Sequence, residues 1–239
     1  MSIDDLDISL TETLRNSDLT PLTVDIGEIG LDELLASDAA KDIPVIGSLV
    51  KLVNVGTSVR NFLFTKNLLR FLKSLPDVPP DQRRKQIDKL AEDEGSRKRV
   101  GENLMLLLDR VNNVQKPEMM GKAFGAYLQG NIGRSQLNRL YQAIDLIDVT
   151  CIADLKKVYE SEYGHAELPN VFLATAEHSH LAICGLLSIE FGGIIGHGEN
   201  RPKKMNPDGR SWSEEVATIR QAGYRQNEVG RLFIKYVTA

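Results

Sequence analysis

The chain has 239 residues, of which 42% are hydrophobic and 26% are charged, and its formal net charge is −4. These fractions are typical of a globular protein and exclude a chain that is disordered throughout. Its two cysteines, Cys151 and Cys184, are too few for a disulfide scaffold or a cysteine-built zinc site, and they indicate a reducing compartment.

The N-terminal residues do not match a secretory signal. Asp4, Asp5 and Asp7 stand where such a signal has a basic region followed by an apolar run. No stretch of about 18 uncharged, mostly apolar residues occurs in the sequence, and a bilayer-spanning helix needs that length. The sequence therefore predicts a cytoplasmic protein, which becomes membrane-peripheral when active only if it exposes a lipid-binding segment.

Residues 1–42 form an acidic segment, with eleven Asp or Glu residues against two basic ones and a net charge of −9. Leu31–Leu35 is predicted to form a short helix, and the scattered Thr, Ser, Pro and Gly residues predict loops elsewhere. We interpret this segment as an acidic, partly ordered arm. It is either a solvated tail or an intramolecular cover for a basic surface.

Residues 43–75 contain no Asp or Glu and five basic side chains. Their apolar residues recur at intervals of three and four, and the pattern falters near Gly56, which predicts two helices or one kinked helix. Wide apolar coverage indicates burial by several neighbours, but basic, apolar segments also lie on anionic membranes. The candidate membrane or partner contacts are Lys51, Arg60, Phe64, Lys66, Leu68, Arg70, Phe71 and Lys73.

Residues 76–164 have the pattern of antiparallel helices with short connections. Together with residues 43–75 they predict a helical bundle over 43–164. The expected elements are Asp81–Glu92, a helix capped by Ser96, Glu118–Gln129 between Pro117 and Gly130, and helices that begin at Ser135 and Thr150.

Residues 165–239 change character and predict a winged-helix-like domain at the end of a mainly α protein. The order helix, strand, long turn, strand, helix is the order in which a winged-helix module ends. The expected elements are a helix over Phe172–Leu187, a strand over Ser188–Ile195, a polar turn over Gly196–Glu215, an extended stretch from Val216–Ile219 to Tyr224, and a helix over Glu228–Val237 capped by Asn227.

Three segments carry a resemblance to a known family. LAICGLLSIE (181–190) and YRQNEVGRLFIKYV (224–237) resemble the C-terminal winged helix of many small bacterial helical proteins. PEMMGKAFGAYLQGNIGRSQLNRLYQAIDLIDVTCIADL (117–155) resembles their helical half. By element order over about residues 96–237, the plan is similar to the bacterial abortive-infection alpha family. The resemblance implies a role in phage resistance and brings no catalytic motif, and the long wing and residues 43–75 depart from it.

Few groups could carry chemistry. His178 and His180 are two residues apart on a helix and so point to opposite sides, which favours surface histidines over a shared metal. Cys151 and Cys184 have apolar neighbours and are interpreted as buried small side chains. The glycines of FGGIIGHG match neither a dinucleotide fingerprint nor a phosphate loop. No catalytic, cofactor-binding or metal-binding residue is therefore predicted.

These observations predict a non-enzymatic helical interaction protein of bacterial antiphage defence that acts through protein–protein contacts or self-association. One alternative is a membrane-perturbing effector, in which residues 43–75 leave the bundle and the acidic segment restrains them at rest. The other is DNA binding through the wing, although the helix before it has no Lys or Arg to read bases. Its candidate phosphate contacts are Arg201, Lys203, Lys204 and Arg210.

Overall fold

A computed structural model describes residues 3–19, 22, 42–55, 59–75, 78–90, 94–111, 113–160, 176–192 and 221–238. These residues form a mainly α-helical protein, with ten α-helices packed in a bundle and a small two-stranded sheet near the C-terminus. The helices are α1 (Ile3–Asn16), α2 (Pro44–Val55), α3 (Val59–Lys73), α4 (Pro80–Leu90), α5 (Glu94–Arg110), α6 (Lys116–Leu128), α7 (Arg134–Leu146), α8 (Ile152–Glu160), α9 (Ala176–Ile183) and α10 (Glu228–Tyr236). The prediction of a mainly α protein with a helical bundle is confirmed.

Helix α1 lies where the sequence predicts loops or a partly ordered arm, and that prediction is wrong for residues 3–16. Leu6, Leu10 and Leu14 are spaced by four, so they lie on one side of the helix, and all three are buried. This side packs against α2, α4 and α5. The aspartates set the charge of the segment, but the leucine spacing sets its structure. The helix predicted at 31–35 lies outside the described residues.

Polar contacts fasten the C-terminal end of α1 to the bundle. The backbone N–H of Val45 in α2 donates to Thr13 Oγ1 at 3.0 Å. The buried Arg83 of α4 donates from Nη2 to the carbonyl oxygen of Ser17, and Arg15 Nη2 lies 2.9 Å from Asp88 Oδ1. A cation beside the carbonyl end of a helix also interacts favourably with the helix dipole. Helix α1 is therefore part of the bundle.

Helices α2 and α3 lie on either side of the predicted break near Gly56, and residues 56–58, where the break is predicted, lie outside the described part of the chain. Helix α3 packs mainly against α6. The two approach closely because Gly121 of α6 has no side chain, and a Cβ there would overlap the Ser74 hydroxyl and the Phe71 carbonyl oxygen. The Phe71 and Phe124 rings meet across this contact, with centroids 5.7 Å apart.

The C-terminal part has the element order helix, strand, strand, helix. Helix α9 ends at Ile183 rather than at Leu187, because Gly185 adopts a left-handed conformation with φ 76° and Leu187 already pairs in the sheet. Strand β1 (Leu187–Gly192) runs antiparallel to β2 (Gln221–Gln226). The predicted extended residues 216–219 and the predicted turn lie outside the described residues. Asn227 caps α10 as predicted, since its side chain accepts the Gly230 N–H at 2.8 Å.

Candidate interaction surfaces

The structure divides the contact residues predicted within 43–75 into two groups. Phe64, Leu68 and Phe71 are buried in the core of the bundle. They hold α3 against its neighbours, so they do not contact a partner or a membrane while the fold is intact. All five basic candidates are at least partly exposed: Lys51, Arg60, Lys66, Arg70 and Lys73.

Six residues of α3 that are at least partly exposed lie on one side of the helix and define one surface. We call it the α3 outer face, and it consists of Val59, Phe62, Leu63, Lys66, Arg70 and Lys73. At 3.6 residues per turn these positions fall within an arc of roughly 100°. Val59 is 78% exposed, Leu63 54% and Phe62 39%, which is unusual for large apolar side chains grouped together. The face is therefore apolar at its N-terminal end and basic at its C-terminal end.

Neighbouring side chains extend and order the apolar end of the α3 outer face. The Arg60 guanidinium makes a bidentate ion pair with the Asp109 carboxylate of α5. Nε donates to Oδ1 at 3.1 Å, and Nη2 contacts Oδ2. This hydrogen bond holds the pKa of Asp109 below its usual range. Leu106, which is also exposed, lies one helical turn before Asp109 and so on the same side of α5. The Lys66 ammonium sits 4.6 Å from the centroid of the Phe62 ring.

Buried polar groups fix the rotation of α3 and hence the direction of its outer face. The Asn67 side chain is buried and donates from Nδ2 to the carbonyl oxygens of Leu108 (3.1 Å) and Val111 (3.2 Å). These carbonyls belong to the end of α5, where no helical partner is available to them. Since a buried amide that lost these bonds would be costly, α3 cannot rotate freely about its axis.

A second surface is a groove between the bundle and the C-terminal elements, with a volume of about 470 Å³. We call it the α7–α10 groove. Leu146 and Ile183 lie on its two sides and are 54% and 72% exposed. Its lining residues are Arg139, Gln142 and Leu146 of α7, Ile183, Cys184, Gly185 and Ser188 at the α9–β1 junction, and Asn227, Glu228 and Val229 at the start of α10.

Tyr159 of α8 joins two of the three segments that line the α7–α10 groove, the α9–β1 junction and the start of α10. Its hydroxyl donates to the carbonyl oxygen of Leu186 at 2.6 Å and accepts the backbone N–H of Asn227 at 3.0 Å. The Asn227 side chain in turn donates to the carbonyl oxygen of Gly185 at 3.0 Å. A Cβ at Gly230 would overlap the Tyr159 hydroxyl, so glycine is needed there for this close approach. These contacts hold the α9–β1 junction against the start of α10.

Sequence reasoning missed both Tyr159 and the groove. The local pattern around Tyr159 is that of an ordinary amphipathic helix, and its partners are 27 and 68 residues away in sequence. The one available signal was the position of Gly230 within the first turn of a helix, where glycine is unfavourable unless something approaches closely.

Cys184 lines the α7–α10 groove, and His180 lies next to it. Cys184 is buried, as predicted, and burial raises the pKa of its thiol to about 11, with the nearby Cys151 adding to the effect. Its Sγ lies 3.6 Å from Nε2 of His180. The same Nε2 accepts the backbone N–H of Asp148 at 3.0 Å, which requires an unprotonated nitrogen. A protonated, buried thiol is a poor nucleophile, so Cys184 acts as a packing residue.

The predicted phosphate contacts lie outside the described residues. They are Arg201, Lys203, Lys204 and Arg210. Within the part of the chain that is described, His, Cys, Asp and Glu side chains form no group of three or more that could hold a metal ion. None of the described helices combines the length and apolar character needed to cross a bilayer.

Comparison with known proteins gives no relative: no protein-family model, no curated protein and no solved structure matches this chain.

Proposed function

We propose that this protein is a non-enzymatic helical interaction protein that acts through protein–protein contacts. The observation that supports this function best is the α7–α10 groove. Leu146 and Ile183 expose large apolar surface on its two sides, and exposed apolar surface rimmed by polar groups commonly marks a protein interaction site. Arg139 and Gln142 supply polar groups on one wall.

The proposal includes a winged-helix-like role for residues 165–239. The order α9, β1, β2, α10 and the antiparallel pairing of the strands support it. Helix α9 carries no Lys or Arg over its eight residues, so protein contact suits this helix better than base reading.

The proposal places this interaction protein in bacterial antiphage defence. Two observations support this. The order of elements resembles that of the abortive-infection alpha family, and the helices α6 to α8 precede the strand pair as that order requires. The partner would then be another protein of the same defence response or a second copy of this chain.

The test is a groove variant, Leu146→Ser combined with Ile183→Ser. Both side chains are more than half exposed, so the variant should fold, while its contact surface becomes polar. We expect the parent protein to self-associate in sedimentation velocity or to capture a partner from its host, and the variant to lose that association by at least about tenfold.

The matched control is Phe62→Ser with Leu63→Ser, which removes similar exposed apolar surface from α3 instead. A parent protein that sediments as a stable monomer and captures no partner would contradict the proposed function. Equal loss in both double variants would mean that general surface hydrophobicity, and not the groove, drives the association.

A further inference from the structure

The α3 outer face has a property that the groove lacks: its apolar and basic parts lie in line along one helix. Val59, Phe62 and Leu63 occupy the first two turns, and Lys66 and Arg70 follow on the same side. Helix α3 contains no acidic residue, so nothing within it opposes the positive charge. We propose that the α3 outer face docks onto the surface of an anionic lipid bilayer, an activity that is independent of the groove.

The chemistry of each half of the face fits one layer of such a bilayer surface. Aromatic and branched aliphatic side chains partition into the boundary between head groups and acyl chains, where they lose contact with water. Lysine and arginine attract anionic head groups and can extend toward them while their stems stay in apolar surroundings. The contact of Lys66 with the Phe62 ring places a cation directly beside the apolar end.

Docking of this kind leaves the fold intact. The opposite side of α3, which includes Leu68, Phe71 and Leu72, is buried in the core, and Asn67 is hydrogen-bonded to α5. Insertion of the whole helix would expose this core, whereas a shallow contact uses only side chains that already face outward. The structure therefore favours peripheral attachment over the release of residues 43–75 from the bundle.

Charge and area argue against other occupants of the α3 outer face. A second copy that docked through the same face would bring two sets of Lys66, Arg70 and Lys73 into one interface, where α3 supplies no acidic side chain to pair with them. The exposed apolar part of the face comes from three side chains and amounts to roughly a few hundred Å², below the roughly 800 Å² per partner of a stable protein interface. A bilayer surface needs no such area, since a few apolar side chains and neighbouring cations suffice for reversible attachment.

The experiment is vesicle co-sedimentation of the full chain at low salt. Vesicles of phosphatidylcholine with about 30% phosphatidylglycerol are compared with vesicles of phosphatidylcholine alone. We expect the parent to bind the anionic vesicles and to be released at high salt. Phe62→Ser with Leu63→Ser, and separately Lys66→Glu with Arg70→Glu, should each weaken binding at least about tenfold.

Ile189→Ser is the matched control, because Ile189 of β1 belongs to neither surface and is 51% exposed, close to the 54% of Leu63. It should bind the anionic vesicles as the parent does. A parent that does not bind them, or two double variants that bind as well as the parent, would overturn the proposal. Loss of a captured protein, rather than of vesicle binding, on changing Phe62 and Leu63 would assign the face to a protein partner and also overturn it. The groove variant tests the proposed function separately.

Discussion

Helices α1 and α3 differ in charge and in how completely the bundle covers them. The acidic helix α1 is packed between α2, α4 and α5, and even Asp7 and Thr11 are buried beside its leucines. The basic helix α3 packs on α6 and α5 with one side and leaves Val59, Phe62 and Leu63 exposed on the other. Charge alone would suggest the reverse, with the acidic segment solvated and the apolar one enclosed.

This difference shows that neighbours, rather than composition, decide which apolar side chains become core. Helix α1 has a narrow leucine stripe, and three helices are enough to bury it. Helix α3 is apolar over more of its circumference than its neighbours cover. The uncovered remainder is surface that folding does not use, and such surface commonly serves binding.

The strongest test of the difference between α1 and α3 is to make the same substitution on both helices. Leu10→Ala in α1 removes a fully buried side chain and should lower the free energy of unfolding by about 2–5 kcal/mol. Leu63→Ala in α3 should change it by less than about 0.5 kcal/mol, because that side chain is mostly in water. Urea denaturation followed by circular dichroism measures both. An effect of Leu10→Ala as small as that of Leu63→Ala would mean that α1 is not part of the core.

The contact between α3 and α6 gives a second comparison, between two glycines one turn apart. Gly121→Ala should cost about 1–3 kcal/mol, because the new methyl group overlaps Ser74 and the Phe71 carbonyl. Gly125→Ala should instead stabilise by up to about 1 kcal/mol, since its Cβ would meet the Leu75 side chain at an ordinary 3.7 Å and alanine favours helix. Thermal denaturation of the two variants tests the opposite signs. The same sign in both would contradict the close approach of α3 to α6.

Several helix ends could be predicted from local signals in the sequence. Pro117, Gly130 and Asn227 mark helix ends in positions where their backbone or side-chain chemistry is useful, and the structure has them there. These signals act within a few residues, so a single sequence contains them.

The predicted cap at Ser96 is wrong, since α5 already begins at Glu94. The larger errors came from features that depend on distant residues. The acidic charge of residues 1–42 outweighed the leucine spacing at 6, 10 and 14, although i, i+4 spacing is a helical signal in its own right. Within 43–75, no pattern could distinguish buried Phe64 from exposed Phe62, because the answer depends on where α5 and α6 pack. The α7–α10 groove is formed by segments far apart in sequence and has no local signature.

The smallest expected effect concerns the ion pair that fastens the exposed start of α3 to α5. A double-mutant cycle with Arg60→Ala and Asp109→Ala should give a small favourable coupling at neutral pH, because Arg60 is mostly exposed and water screens the pair. The pKa of Asp109 is lowered by its hydrogen bond to Arg60. The coupling should therefore be complete above the ordinary aspartate pKa of about 4 and should be lost as the pH falls through the lowered value. A cycle that gives no coupling at neutral pH would show that the ion pair does not help to orient α3, and that its buried apolar side chains and Asn67 do so without it.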